Sequence, residues 1–504
     1  MRVARNQLLN SALNCDVWDI IVIGGGATGL GVAVDAASRG YNTLLLEAVD
    51  FGKGTSSRST KLIHGGVRYL RQGNVKLVYK ALKERGYLMA NAPHLVTPLR
   101  FVIPCTKWWH QLWYGLGLRL YDLLAGSLSI GPSRILTREQ TLDFLPGIKP
   151  GGVKGGVEYW DAQFDDTRLL VSLLLTCINN GGTALNYMRV TELIKTNGIV
   201  SGVKVRDELA NSQHEFRAKV VVNATGVFTD AIRSMDDRAS RTIIRPAQGA
   251  HLVLDSSFVS ENTALLIPGT DDGRVIFAVP WHSRVLLGTT DVSVDEVSEE
   301  PRPMNDEIDY LLQYGARYLS RPPSRKDVLS VFAGLRPLVK AVVTPNRDTK
   351  TLSRDHTLKV SSSKLVTITG GKWTTYRHMA QDAVNRAART ARLDRLECKT
   401  KTLKLVDNEI PEENSAEGTV LIPSLPYTET HIRQAVNSEM AVTLEDVLAR
   451  RTRCLFLDAR ASLQIAPRVA AILRDELGWD FERMENEIHS FQQVAASYIA
   501  DQTD

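Results

Sequence analysis

Long apolar runs are missing from this chain: no segment of its 504 residues reaches the roughly 18–20 consecutive apolar positions that a membrane-spanning helix needs. Cysteine is scarce. Cys15, Cys105, Cys177, Cys398 and Cys454 lie far apart without a C-x-x-C pair, which speaks against a disulfide framework or a zinc site and suits a reducing compartment. Charge of one sign is lacking too, since 61 Lys and Arg stand against 56 Asp and Glu for a formal net charge of +5. Such mild basicity fits an anionic ligand or an acidic membrane surface, and the absence of a strong basic stripe leaves no nucleic-acid partner expected. The first residues carry Arg2 and Arg5 but no apolar h-region, so no secretory signal is read there. There is no D-x-D-x-D-G calcium loop, no metal site is expected, and neither repeats nor low-complexity tracts are found.

What remains is the profile of an ordinary globular protein, with 43% hydrophobic and 23% charged residues over a length that suggests two to four domains. The run DIIVI (residues 19–23) predicts a buried strand, TGLGVAVDAASRG a helix ending at Gly40, and NTLLLE a second buried strand: a βαβ unit. Between strand and helix, Gly24, Gly26 and Gly29 stand in G-x-G-x-x-G register, with Gly25, Ala27 and Thr28 completing the turn. Glycines there let the backbone approach a pyrophosphate, and the helix N-terminus offers it free N–H groups. Glu47, at the end of the second strand, is placed to bind a ribose hydroxyl and would repel the 2′-phosphate of NADP. NAD and FAD share this fingerprint, and it does not choose between them.

Other stretches do. GTSSRSTKLIHGGVRYL (54–70), VVNATGVFTD (221–230), GTTD (288–291), AGLRPL (333–338), SRDHTL (353–358) and GGKWTTYR (370–377), followed by the helical EMAVTLEDVLARRTRCLFLDAR (439–460), closely resemble the FAD-dependent, quinone-linked glycerol-3-phosphate dehydrogenases, in order and over nearly the whole chain. The resemblance implies an α/β plus α+β fold with three parts. A glutathione-reductase-type, Rossmann-like FAD-binding domain is expected from residues 17–75, 155–245 and 355–390. An antiparallel-sheet substrate domain is expected from 76–154 and 246–354, and a helical C-terminal domain from 395–504. It also implies non-covalently bound FAD and oxidation of sn-glycerol 3-phosphate to dihydroxyacetone phosphate by hydride transfer to flavin N5. The electrons would pass to a membrane quinone.

Site residues follow from the same resemblance, each with a chemical reason. Arg68, Tyr69, Arg336 and Lys372 match residues that line the substrate pocket, where arginine grips phosphate through paired hydrogen bonds and lysine acts as a point charge. His251 matches a histidine above the flavin and suits removal of the hydroxyl proton. Arg336 is a second candidate for that task, by stabilising alkoxide charge, and the choice between the two stays open. Thr55, Ser56, Ser57, Lys61 and Leu62 are expected to wrap the pyrophosphate and ring system, and His64, Gly65 and Gly66 to lie against the isoalloxazine. Asn223, Ala224 and Gly226 match a second nucleotide-binding turn. Gly370, Gly371 and Lys372 begin a helix whose amides would stabilise charge on the reduced flavin.

The segment 107–126, KWWHQLWYGLGLRLYDLLAG, places Trp109, Leu112, Trp113, Leu116, Leu120, Leu123 and Leu124 on one helical face, with Lys107, His110 and Arg119 at or near its edges. That pattern suits either a peripheral seat in membrane lipid or a core-facing helix. The expected location is cytoplasmic, on the inner face of the cytoplasmic membrane, with a homodimer compatible. Two alternatives stay open: an oxidase on the same scaffold that uses oxygen, and a flavin-binding interaction protein without turnover.

Overall fold

A computed structural model describes residues 5–67, 70, 73–271, 273–340, 355–408 and 419–500. The βαβ unit forms as the pattern dictates. Strand Trp18–Ile23 runs into helix Ala27–Arg39, Gly40 ends the helix in the left-handed conformation, and strand Thr43–Leu46 returns parallel beside the first. Both strands are buried along nearly their whole length, as befits the centre of a parallel sheet covered on two faces. The sheet extends on one side through Thr183–Leu185 and on the other through Ser212–Asn223, Val366–Gly370 and His356–Val360. The late strand Val366–Gly370 pairs parallel to Ser212–Asn223, so residues more than 300 positions after the glycine turn complete the same sheet. Helix Tyr376–Ala391 then packs on helix Ala27–Arg39 so closely that a Cβ on Gly31 would lie 2.8 Å from the Tyr376 ring.

A second sheet of ten strands is antiparallel except where Thr263–Ile267 runs parallel to Val96–Cys105. Its long strands Ile244–Asp255 and Val328–Val339 pair from Ile244–Val339 to Leu254–Val328 and bring His251 and Arg336 onto neighbouring strands. One expected boundary moves. Gly155–Phe164, assigned from sequence to the nucleotide domain, pairs with Val96–Cys105 from Phe164–Val96 to Gly155–Cys105 and so belongs to the second sheet. The short strand Leu62–Ile63 joins the same sheet through Gln163 and Ala162. The C-terminal part is helical from Glu429, through Glu429–Glu439, Ala459–Leu477 and Phe481–Ala496. It is welded to the second sheet rather than hung beside it, because Leu455, Phe456 and Leu457 share one core with Val253, Trp281 and Phe332. The stretch before it is not helical domain: Leu405 is buried in the core of the nucleotide sheet.

Buried charges lock these parts together. Asp50 accepts from Arg450 Nε at 2.5 Å and from both terminal nitrogens of Arg451 at 2.7 and 2.9 Å. Lys53 bridges Glu300 and Glu445 at 2.7 and 2.6 Å, Arg58 pairs with Glu300 at 2.7 Å, and the Tyr498 hydroxyl donates to Glu300. Burial alone would raise the Asp50 carboxyl, yet Arg451 and Arg450 bring it down to about 2.

Candidate active site

One cavity of about 1450 Å³ lies between the two sheets. Its nucleotide end is built by the glycine turn. Gly24 has φ +107°, and a Cβ there would meet the Ala224 carbonyl oxygen at 2.8 Å. Gly26 precedes the first helical turn, whose leading N–H groups have no carbonyl four residues back; Ala27 N–H is met by Ser56 Oγ at 2.9 Å. Thr28, Glu47, Thr55, Ala224 and Gly226 complete this lining. Glu47 accepts the amides of Gly25 at 2.5 Å and Val49 at 3.0 Å, and burial pushes its carboxyl up against the pull of those amides.

Leu62, His64, Gly66, His251, Arg336, Gly370, Gly371 and Lys372 line the rest. Arg336 is held by the Thr290 carbonyl through both terminal nitrogens at 3.1 Å, by Thr289 Oγ1 at 3.1 Å and by Asp291 Oδ1 at 3.2 Å. This fixes the guanidinium against the strand pair, where a Cβ on Gly249 would come within 2.3 Å of it. His251 is buried, and burial, with Arg336 and Lys61 adding to it, brings its imidazole well below the ordinary histidine value. The base candidate is therefore neutral at pH 7, as proton abstraction requires. Trp373 Nε1 donates to the Ser56 carbonyl at 2.9 Å, tying the Gly370–Lys372 turn to the early loop.

Six expected cofactor residues do not line the cavity. Gly25 and Gly29 serve packing: Cβ atoms there would meet Phe51 at 2.8 Å and the Gly24 carbonyl oxygen at 1.8 Å. Ser57 turns its hydroxyl onto the Gly54 carbonyl. Lys61 points away into the interior, where its Nζ donates to Asp166 at 2.6 Å and to the Ser57 carbonyl at 2.7 Å. Burial, with Arg453 nearby, brings its amine down to about 7 although Asp166 pulls the other way. Gly65 gives its amide to the Tyr121 hydroxyl at 2.8 Å, and the Asn223 side chain braces its own turn through Thr225 and Thr229. Arg68 and Tyr69 lie outside the described residues.

Several lining residues had no role from sequence. Thr60 sits in the loop 54–66, and Thr289, Thr290 and Asp291 fall in the GTTD stretch (288–291). Arg274, whose guanidinium lies 5.3 Å from the Tyr310 ring centroid, is a further cation on the wall. Asp161 also lines the cavity, neutralised by Arg85 at 2.7 Å, and no local pattern marks it. Among the described residues no group of three or more metal-ligating side chains is found.

The volume exceeds the roughly 300–1,000 Å³ of a typical small-ligand pocket. It leaves space for an extended dinucleotide with a small substrate beside it, and the bare backbone at Gly24 and Gly26 suits a pyrophosphate. This fold and site define an FAD-dependent oxidoreductase, and the family of that description matches residues 19–377. A second family, described as the C-terminal domain of alpha-glycerophosphate oxidase, matches residues 361–484. The mitochondrial glycerol-3-phosphate dehydrogenase of Homo sapiens is 37% identical over 97% of this chain and 74% of its own length. The crystal structure of the glycerol-3-phosphate dehydrogenase from Bacillus halodurans, complexed with FAD, superposes with a TM-score of 0.79 at 28% identity, over 99% of this chain and 98% of its own. The chain belongs to the FAD-dependent glycerol-3-phosphate dehydrogenases. The L-alpha-glycerophosphate oxidase of Mycoplasma pneumoniae, with a TM-score of 0.58 at 18% identity over 79% of this chain and all of its own, shares the fold.

Proposed function

We propose that this enzyme oxidises sn-glycerol 3-phosphate to dihydroxyacetone phosphate and hands the electrons to a membrane quinone. The observation that carries the reading is the convergence of Arg336 and Lys372 with a buried neutral His251 on one cavity. A phosphate dianion calls for such cations, and an amine substrate would call for carboxylates or an aromatic cage. FAD, when bound, supplies the two-electron acceptor. His251 takes the hydroxyl proton, Arg336 stabilises the developing alkoxide, and Lys372 with Arg336 holds the phosphate.

Helix Trp108–Ala125 supports the quinone as acceptor. Trp113, Leu116 and Leu120 are exposed on its outer face and also line the cavity, so apolar surface runs from the outside inward. No helix among the described residues is long and apolar enough to cross a membrane, and this face offers a peripheral seat in lipid at the cytoplasmic side.

Anaerobic addition of glycerol 3-phosphate to the flavin-loaded protein should bleach the flavin absorbance. An unbleached, fully loaded flavin would overturn the substrate assignment. With reduced enzyme in hand, rapid reoxidation by a short-chain quinone and slow peroxide release in air is the expected pattern, and the reverse ranking would make the protein an oxidase.

A further inference from the structure

His251, the base on which the proposed reaction rests, is shut in on most sides. Its ring stacks on Phe332, with centroids 4.9 Å apart and planes inclined by 14°. On the adjacent strand a Cβ at Gly288 would lie 2.3 Å from the ring's Cδ2 and 2.9 Å from Nε2, so the imidazole rests against bare backbone. Nδ1 is sealed from solvent and finds no hydrogen-bond partner among the described residues. Nε2 lies 2.9 Å from Thr60 Oγ1, and Thr60 lines the cavity. With Nδ1 sealed, Nε2 is the nitrogen that can exchange a proton with the cavity, and Thr60 stands at its door.

We propose that Thr60 is the relay through which His251 takes the proton of the substrate hydroxyl. The substrate O–H bond breaks as a new O–H bond forms on Thr60, and the proton already on Thr60 passes to Nε2. FAD, when bound, would accept the carbon–hydrogen electron pair with its hydrogen, and the carbon–oxygen double bond would close behind it. The substrate thus loses one proton and one hydride, and the imidazole ends with one positive charge. For Nε2 to accept, the resting ring carries its proton on Nδ1, an N–H without a partner among the described residues. Buried polar groups left unpaired in this way recur at working sites. A threonine suits the task because its hydroxyl both donates and accepts, and its branched carbon leaves few rotamers to sample.

The test compares Thr60→Val, which keeps shape and removes the hydroxyl, with Thr60→Ser, which keeps the hydroxyl. Both are loaded with FAD and mixed anaerobically with glycerol 3-phosphate in a stopped-flow instrument. Thr60→Val should reduce flavin about 100-fold more slowly at pH 7, the lower range for loss of a proton-transfer group, with substrate affinity nearly unchanged. Thr60→Ser should stay within a few-fold of wild type. The wild-type rate should curve against the fraction of deuterium oxide, as two protons in flight require, and the residual rate of Thr60→Val should fall on a straight line. A rate in Thr60→Val close to wild type, or equal losses in both variants with flavin bound, would overturn the relay. If wild-type flavin is not reduced at all, the substrate assignment fails instead, which keeps the two failures apart.

Discussion

Burial, with Arg336 and Lys61 adding to it, keeps the His251 imidazole uncharged well below the ordinary histidine value. An unfolded chain takes up that proton near pH 6.5, so the folded state binds fewer protons once the pH falls below this point. The stability this residue contributes is therefore complete above about pH 6.5 and drains away on acidification, by up to about 1.4 kcal/mol per pH unit. Wild type should lose thermal midpoint between pH 7.5 and 5.5 faster than His251→Gln does, by differential scanning fluorimetry of the loaded proteins. Parallel slopes would mean that the ring takes up its proton in the fold as readily as in the unfolded chain. The glycine turn was legible from sequence because strand, glycines and helix form one local stretch, whereas His251 was reached only through the family resemblance. The direction of side chains within the loop 54–66 was not legible: Ser57 and Lys61 turn inward to a carbonyl and to Asp166, while Thr60 between them reaches the cavity. Asp166 lies 105 residues from Lys61, and no local pattern announces such a partner.

Helix Trp108–Ala125 shows what periodicity can and cannot say about an element. The face expected from 3.6-residue spacing is the exposed one: Trp109, Leu112, Trp113, Leu116, Leu120 and Leu123 face outward, joined by Trp108, while Leu124 is half-buried. Of the two readings that the spacing allowed, a core-facing helix does not fit, because the core side carries Gly115, Leu118, Tyr121 and Ala125. Replacing Trp109 and Leu112, exposed residues that do not line the cavity, together by Asp should abolish flotation with vesicles of phosphatidylglycerol and phosphatidylcholine while leaving reduction of a soluble dye intact. Undiminished flotation of the folded variant would move the lipid contact elsewhere. Strand Gly155–Phe164 was misassigned for a different reason. Its β-branched and aromatic residues announce a strand, but which sheet accepts it is decided by backbone pairing with Val96–Cys105, 50 to 68 residues earlier.

At the scale of the whole molecule, the three parts expected from sequence are all present, but their borders follow cores rather than chain order. The helical C-terminal part shares its core with the second sheet and clamps the nucleotide domain through Asp50, Arg450 and Arg451. Removing one partner of a buried, hydrogen-bonded ion pair leaves the other charge stranded and costs about 3–5 kcal/mol. Asp50→Ala should thus lower the thermal midpoint by several degrees and loosen flavin retention on gel filtration, since Lys53 and Glu445 belong to the same network beside the cavity. An unchanged midpoint would show that the clamp is dispensable.

That clamp also carries a timetable. Asp50 is made 400 residues before Arg450. At roughly 5–20 residues per second, its carboxylate waits on the order of 20–80 s for the arginines that neutralise it. The nucleotide half thus leaves the ribosome with an acid still unmatched, and the clamp that joins it to the C-terminal helices belongs to the finished chain rather than the growing one.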